Sequence, residues 1–563
     1  MKSEKKSKKV LIIVISIIIL IIITVMGVGA ILLNIEEKNG DTTRVVINYS
    51  DVTKFLKSDV LINENDDIYL SKEDIANFYD EYIYYDKKYN QIITTSNDKI
   101  MTIKLNSNKK EVNGIESNLN NKIIEKDNKY FLPISELEEI YNIKANFIKE
   151  SNTIVIDSLD KKQVIAESNK NNNVKNNDSF FSKTVAKVKQ GENLTIIPLN
   201  EEQRKNINED WIKVRTEKGK IGYVQKNTIK EEKIVREEKA IKRPIEGKVS
   251  LVWEYFSEYS TAPNRRGTQI DGINVVSPTF FYLEKLGKGN LLENVDNSGE
   301  NYISWAHSNG YKVWPIVSNN SMQETTSEII NDYELRKKLI NQIIDYIEKY
   351  NLDGINIDFE NMKEEDKDMF SRFIIELTPR IKELDKVVTV DVTAPDGSPE
   401  WSLCFDRNTL GDVSDYIIFM AYDQNGGASP KEGTTAGFNW VSLNVNKFLG
   451  QEGVSNEKLI LAVPFYTRLW KEKNGKITSS VVLMKDIDSI LPENVNKEWD
   501  ESLKQYYVEF EENGATYKMW IEDEKSLKEK LSLIKENNLQ GAAFWAKDFE
   551  DESIWKTIKE SLK

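Results

Sequence analysis

The strongest hydrophobic signal lies at the start of the chain. Val10 to Leu33 is an uncharged apolar run, preceded by Lys2, Lys5, Lys6, Lys8 and Lys9. A run of about 20 residues or more spans a bilayer core of about 30 Å, whereas a signal-peptide core is usually about 7–15 residues. The lysines favour an inward N-terminus, so the pattern predicts a cytoplasmic tail over 1–9 and a transmembrane helix over 10–33, with the remainder outside. The alternative is a cleaved signal, for which Gly27-Val28-Gly29-Ala30 offers small residues.

Beyond the helix the period shortens. Over 44–160, Ile68-Tyr69-Leu70 followed by Asn90-Gln91-Ile92-Ile93 recurs as Tyr130-Phe131-Leu132 followed by Asn152-Thr153-Ile154-Val155. A short helical stretch lies inside each copy, at 74–79 and 136–141, which predicts an α+β domain of two repeats. Residues 161–180 are rich in Asn and Lys with little to bury, and read as a linker. Short β-type runs fill 181–231 around Trp211-Ile212-Lys213-Val214 and Gly219-Lys220-Ile221-Gly222-Tyr223-Val224, and a charged stretch, 231–242, leads onward.

From 245 to 563 strand-like and helix-like segments alternate. Candidate strands are 248–256, 272–281, 311–318, 353–361, 387–394, 416–422, 458–466 and 541–545, a count that satisfies a (β/α)8 barrel. The connection from 469 to 540 is much longer than the others. In it Asn513-Gly514 separates two β-type runs, a hairpin signal, and a helical pattern follows over 524–536, so a small α/β insertion is expected. The fold class is therefore α/β: a C-terminal TIM barrel with an inserted lobe, preceded by a small β domain, an α+β domain and a transmembrane helix.

The segment from Leu352 to Asn361 carries the chemistry. Ile355, Ile357 and Phe359 alternate with Asn356, Asp358 and Glu360, between helical patterns at 334–350 and 364–384. In a barrel this polar face points inward, and Glu360 lies at the C-terminal mouth where active groups gather. Asp358 is two residues away on that face, roughly 7 Å along the strand. Its charge raises the pKa of Glu360 and helps keep it protonated as a general acid. An amide at Asn356 is expected to hydrogen-bond Asp358 and hold it ionised. Both carboxylates lie on one strand and so on one side of any bound substrate, whereas mechanisms with two carboxylates place the second across the scissile bond, which leaves open a nucleophile from the substrate.

Composition narrows the remaining choices. Acidic residues number 91 against 77 basic ones, a formal net charge of −14, with no basic run outside the N-terminus, which argues against a nucleic-acid partner. The single cysteine, Cys404, excludes an internal disulfide framework and is expected to be a small buried residue. The single histidine, His307, argues against a Ser/His/Asp triad or multi-histidine zinc site and is expected to be structural.

Asp353, Gly354, Asp358 and Glu360 resemble the D-G-x-D-x-D-x-E signature of glycoside hydrolase family 18, with Asn356 where most chitinases carry aspartate. The phrase Asn356-Ile357-Asp358-Phe359-Glu360-Asn361 is similar to the spore-cortex and cell-wall branch of that family. The resemblance implies substrate-assisted, retaining hydrolysis with Glu360 as acid and base, Asp358 orienting the acetamido group and Tyr422 hydrogen-bonding its carbonyl. Phe419 to Asp423, Phe465 to Trp470 and Phe544 to Asp548 resemble the family's sixth, seventh and eighth strand ends. They imply substrate-binding roles for Asp423, Arg468 and Trp545, with Trp545 stacking under the cleaved sugar, and on the signature strand Asn356 is expected to bind substrate as well. Trp253, Tyr255, Trp314, Trp401 and Trp440 divide between cleft and core. No metal or cofactor is implied.

Residues 44–160 resemble the copper-amine-oxidase N-terminal-like domain, with no copper implied because the segment has no histidine or cysteine. Residues 181–231 resemble a bacterial SH3-like domain through their W-x-K-V and G-x-x-G-Y-V phrases. Together these features predict a membrane-anchored, monomeric, wall-facing hydrolase that cleaves peptidoglycan after N-acetylglucosamine. A chitin-oligosaccharide hydrolase and a non-catalytic wall-binding protein are the alternatives.

Overall fold

The structure is a computed structural model that describes residues 2–37, 40–240, 244–257, 259–285 and 288–563, with side chains from 14 onward apart from residue 30. The end of the charged stretch, at 241–242, and the side chains of the N-terminal lysines therefore lie outside the described residues. Two compact units divide the chain: 1–96 with 101–242, and 97–100 with 243–563.

The first unit begins with a helix, Lys2–Leu33. Its segment Val14–Leu33 is long and apolar enough to cross a membrane, and none of it is buried. Between 44 and 160 the helices Lys72–Phe78 and Ile134–Tyr141 pack on small sheets over a core that includes Val45, Ile75, Ile92, Leu132, Leu137 and Ile154. Ser71 caps the first helix by accepting from Asp74 N–H at 3.0 Å.

The stretch 161–180, read from composition as a linker, is folded instead. Gln163–Glu167 and Asn172–Lys175 are strands of a seven-stranded antiparallel sheet that also holds Thr184–Val188, Asn193–Ile196, Trp211–Thr216, Ile221–Gln225 and Lys233–Arg236. Ala166 and Val174 are buried in it. The asparagines serve the turns and edges: Asn171 Oδ1 accepts from Gln190 N–H at 3.0 Å, and Asn172 donates to Thr228 Oγ1. The small β domain thus starts near 163, not 181.

The second unit is a closed parallel barrel. Its strands are β1 Val249–Glu254, β2 Val275–Pro278 and Phe281–Leu283, β3 Lys312–Val313 and Ile316–Ser318, β4 Gly354–Asp358, β5 Val387–Val392, β6 Tyr416–Met420, β7 Leu459–Pro464 and β8 Gly541–Trp545. β8 pairs with both β7 and β1, which closes the ring. At Gly541 a side chain is excluded, because a Cβ would lie 1.9 Å from Val249 O. β2 and β3 were expected to be continuous but are each broken. Pro278 and Pro315 sit at the breaks, where a missing N–H interrupts the ladder.

The helices Tyr333–Lys349 and Lys367–Lys382 flank β4 and are joined by a buried ion pair, Arg336 Nε to Glu376 Oε2 at 2.9 Å. The long seventh connection forms the expected lobe. Its five-stranded antiparallel sheet includes Tyr466–Lys473, Gln505–Glu512 and Ala515–Ile521, followed by a helix, Glu524–Glu536. Asn513 and Gly514 take φ of 52° and 68°, as a two-residue primed turn requires.

Candidate active site

β4 aims its polar residues inward because its apolar ones have partners outside. Ile355, Ile357 and Phe359 are buried, and the Phe359 ring lies 5.8 Å from Phe370 and 5.7 Å from Phe373 on the following helix. Asn356 and Asp358 consequently face the barrel interior, and Glu360 follows just past the strand end.

Asn356, expected to bind substrate, is instead fully buried, with its amide engaged by protein groups alone. Its Oδ1 accepts from Trp253 Nε1 at 2.8 Å, and its Nδ2 donates to Asp391 Oδ1 at 2.7 Å and Thr389 Oγ1 at 3.0 Å. The indole can only donate, so it fixes the amide's orientation. The expected bond from Asn356 to Asp358 is absent, because the neighbouring strand β5 supplies nearer acceptors. Asp358 is half-buried as a residue, but its Oδ1 is sealed from solvent with no hydrogen-bond partner. Burial and the nearby Asp391 push its pKa well above the carboxylate range. Asp391 is raised in the same direction by burial and Glu360, against the opposing hydrogen bond from Asn356.

Glu360 is positioned through its backbone. Asn319, buried just past β3, accepts from Glu360 N–H at 3.0 Å and donates to Glu360 C=O at 2.8 Å. Burial, Asp358 and Asp423 push the Glu360 carboxyl up to about 8, so it is protonated at neutral pH. That state suits a general acid.

The next two strand ends complete this side of the mouth. Tyr422 and Asp423 follow β6, and the Tyr466 hydroxyl donates to Asp423 Oδ1 at 2.9 Å. Arg468 Nη2 stands 3.7 Å from the same Asp423 oxygen, while Arg468 Nε is buried without a partner. Tyr422 is held protonated by burial, by Tyr466 and by the acidic groups beneath it.

Trp545 ends β8 and is half-buried, its ring 5.7 Å from Trp253 and 5.8 Å from Tyr255. The aromatic candidates now separate: Trp253 and Trp314 are core, whereas Tyr255 and Trp401 are 53% and 43% exposed. Trp440 packs against Phe419 beneath β6. Arg265 braces the β1 and β8 ends by pairing with Glu254 at 2.6 Å and Asp548 at 2.6 Å.

Asp353, the first acid of the signature, lies at the opposite end of β4. Burial raises its pKa, but Lys312, the Val313 N–H and His307 outweigh that and hold it below the usual range. His307 contacts Asp353 Oδ2 at 2.9 Å, away from Glu360, and Cys404 is buried. Sequence reasoning missed Asn319, Asp391 and Arg265. Only Asp391 carried a local signal, as the lone charge in the apolar run Val387 to Val392.

The family model described as "Glycosyl hydrolases family 18" matches residues 252–550, more than half of the chain. The chain belongs to glycoside hydrolase family 18. A second model, the copper amine oxidase N-terminal domain, matches residues 46–156. Among family relatives, the uncharacterized glycosylase YvbX of Bacillus subtilis is 25% identical over 304 residues, covering 52% of this chain and 85% of that protein. The cortical fragment-lytic enzyme of Bacillus anthracis is 24% identical over 259 residues, covering 44% of this chain and 58% of the relative. A solved spore cortex-lytic enzyme, SleL of Bacillus megaterium, has 18% identity and a TM-score of 0.50, covering 66% of this chain and 89% of its own. The solved enzyme shares the TIM-barrel fold of the second unit.

Proposed function

We propose that the chain is a membrane-anchored, wall-facing glycosidase that cleaves peptidoglycan after N-acetylglucosamine by substrate-assisted, retaining catalysis. The observation that carries this reading is the placement of a protonated Glu360 and Asp358 together at the mouth end of one strand. Glu360 gives its proton to the glycosidic oxygen while the substrate's acetamido carbonyl attacks the anomeric carbon from the other face. Asp358 accepts the acetamido N–H and balances the oxazolinium charge, and Tyr422 aligns the carbonyl. Water activated by Glu360, now a base, opens the oxazolinium with retention. Asn356 anchors the floor of the site, Asp423 and Arg468 contact sugar hydroxyls, and Trp545 stacks under the sugar.

The membrane tether rests on the apolar helix ending at Leu33. The sheet from 163 to 236 serves as an SH3-like wall-binding module, and residues 44–160 as a two-repeat spacer. Relatives named for cortex lysis favour peptidoglycan, while a relative named as a probable chitinase supports chitin oligosaccharides as the second reading. Mass spectrometry of products from purified peptidoglycan and chitin oligomers, beside a Glu360→Gln control, tests both. Wall fragments with N-acetylglucosamine at the new reducing end support the first reading, and cleavage confined to chitin oligomers supports the second. Wall binding with no product would make the barrel a binding protein.

A further inference from the structure

Asp391 has no part in the chemistry above, yet the strand register sets it beside Asp358. β4 and β5 run parallel with Asn356 opposite Thr389 and Ile357 opposite Val390. One further step brings Asp358 level with Asp391 on the same inward face, across strands about 4.8 Å apart. The two carboxylates have different surroundings. Asp391 Oδ1 accepts from Asn356 Nδ2 at 2.7 Å, and the amide cannot turn away because Trp253 claims its oxygen. Asp358 Oδ1 is buried with no hydrogen-bond partner.

The other titratable groups around the pair are Glu360 beside Asp358 and Tyr422 at the end of β6, with Asp423 and Tyr466 further out. Among the described residues, no lysine or arginine forms an ion pair with either carboxylate. Two adjacent buried carboxylates without a cation do not both ionise at neutral pH, and they titrate as a pair.

We propose that Asp391 is a positioning residue that holds a proton for Asp358, so that the pair carries one proton throughout the reaction. In the free enzyme the Asn356 amide favours the anion on Asp391 and leaves the proton on Asp358. As the acetamido N–H comes to Asp358, the Asp358 O–H bond breaks and an O–H bond forms on Asp391. Asp358 is then the carboxylate that faces the oxazolinium, and no proton enters or leaves the pair. The proton returns when water opens the oxazolinium. This inference rests on the roles given above to Glu360 and Asp358.

The test is the pH profile of kcat for Asp391→Asn on the cleaved substrate, beside wild type and Glu360→Gln. Without a partner carboxylate to take its proton, Asp358 must lose that proton to solvent in order to ionise. The acid limb of kcat should therefore move up by about one pH unit or more, with kcat about tenfold lower near pH 6 and KM within about twofold. A profile parallel to wild type, whatever its height, would overturn the inference while leaving the Glu360 assignment intact. Hydrolysis by Glu360→Gln would overturn both. Carboxyl 13C titration of the wild-type chain gives a reading independent of whether Asp391→Asn folds. Two coupled steps shared by Asp358 and Asp391 are expected, and two independent titrations in the ordinary carboxylate range would overturn the proposal.

Discussion

Trp253 on β1 reaches across the barrel and donates its indole N–H to Asn356 Oδ1 on β4 at 2.8 Å. That contact orients the amide, and the amide in turn presents its N–H groups to Asp391 and Thr389. Trp253→Phe keeps an aromatic ring but removes the donor, leaving Asn356 Oδ1 with only a 3.4 Å contact to Ser277 Oγ. The expected cost is about 2 kcal/mol of stability, read by urea unfolding, together with a reduced kcat.

Asn356→Asp would set a new carboxylate where an amide now donates to Asp391. Its folded pKa should lie well above the unfolded value of about 3.9. The protonated variant is therefore close to wild type below about pH 4, and loses stability as pH rises through the raised folded pKa. A deficit of about 3 kcal/mol at pH 7 that shrinks on acidification is expected in denaturant titrations at both pH values.

Glu360 gives two linked pH dependences. Its folded pKa of about 8 stands above the ordinary 4.5, so the stability it contributes is complete below about 4.5 and is lost as pH rises toward 8. Glu360→Gln removes that penalty. The variant's Tm advantage over wild type should widen between pH 4.5 and 8 in thermal melts, while hydrolysis is abolished. In the wild type, kcat should fall as pH rises through about 8, where the acid loses its proton.

Arg265→Met would strand Glu254, which is buried against Arg265 at 2.6 Å. Removing one partner of a buried pair costs about 3–5 kcal/mol. Because Arg265 also holds Asp548 beyond β8, the ends carrying Tyr255 and Trp545 should loosen. A rise in KM together with a lower Tm is expected.

How much of this is legible in the sequence depends on whether the signal is local. The alternation from Ile355 to Glu360, the helix after Asp332 and the Asn513-Gly514 turn are each written in consecutive residues, and the structure has all three. The breaks in β2 and β3 coincide with Pro278 and Pro315, which are visible but outweighed by the apolar residues around them. The linker reading of 161–180 failed because asparagine-rich composition hides a few buried positions, Ala166 and Val174 among them. The partner of Asn356 was misassigned to its own strand, since only the register of β4 against β5 brings Asp391 into reach. Asn319 acts through Glu360, 41 residues away, and Arg265 through Glu254 and Asp548, 11 and 283 residues away, and no local pattern marks either.

In the proposed reaction the substrate's own acetamido group is the nucleophile and Glu360 is the acid. The most direct measurement compares cleavage of an N-acetylated peptidoglycan oligomer with that of the same oligomer bearing free amines on its glucosamine residues, using the wild-type chain. Turnover of the acetylated oligomer and none of the deacetylated one is expected, although both carry the same glycosidic bond. Comparable cleavage of the two would contradict substrate assistance and require a nucleophile from the protein.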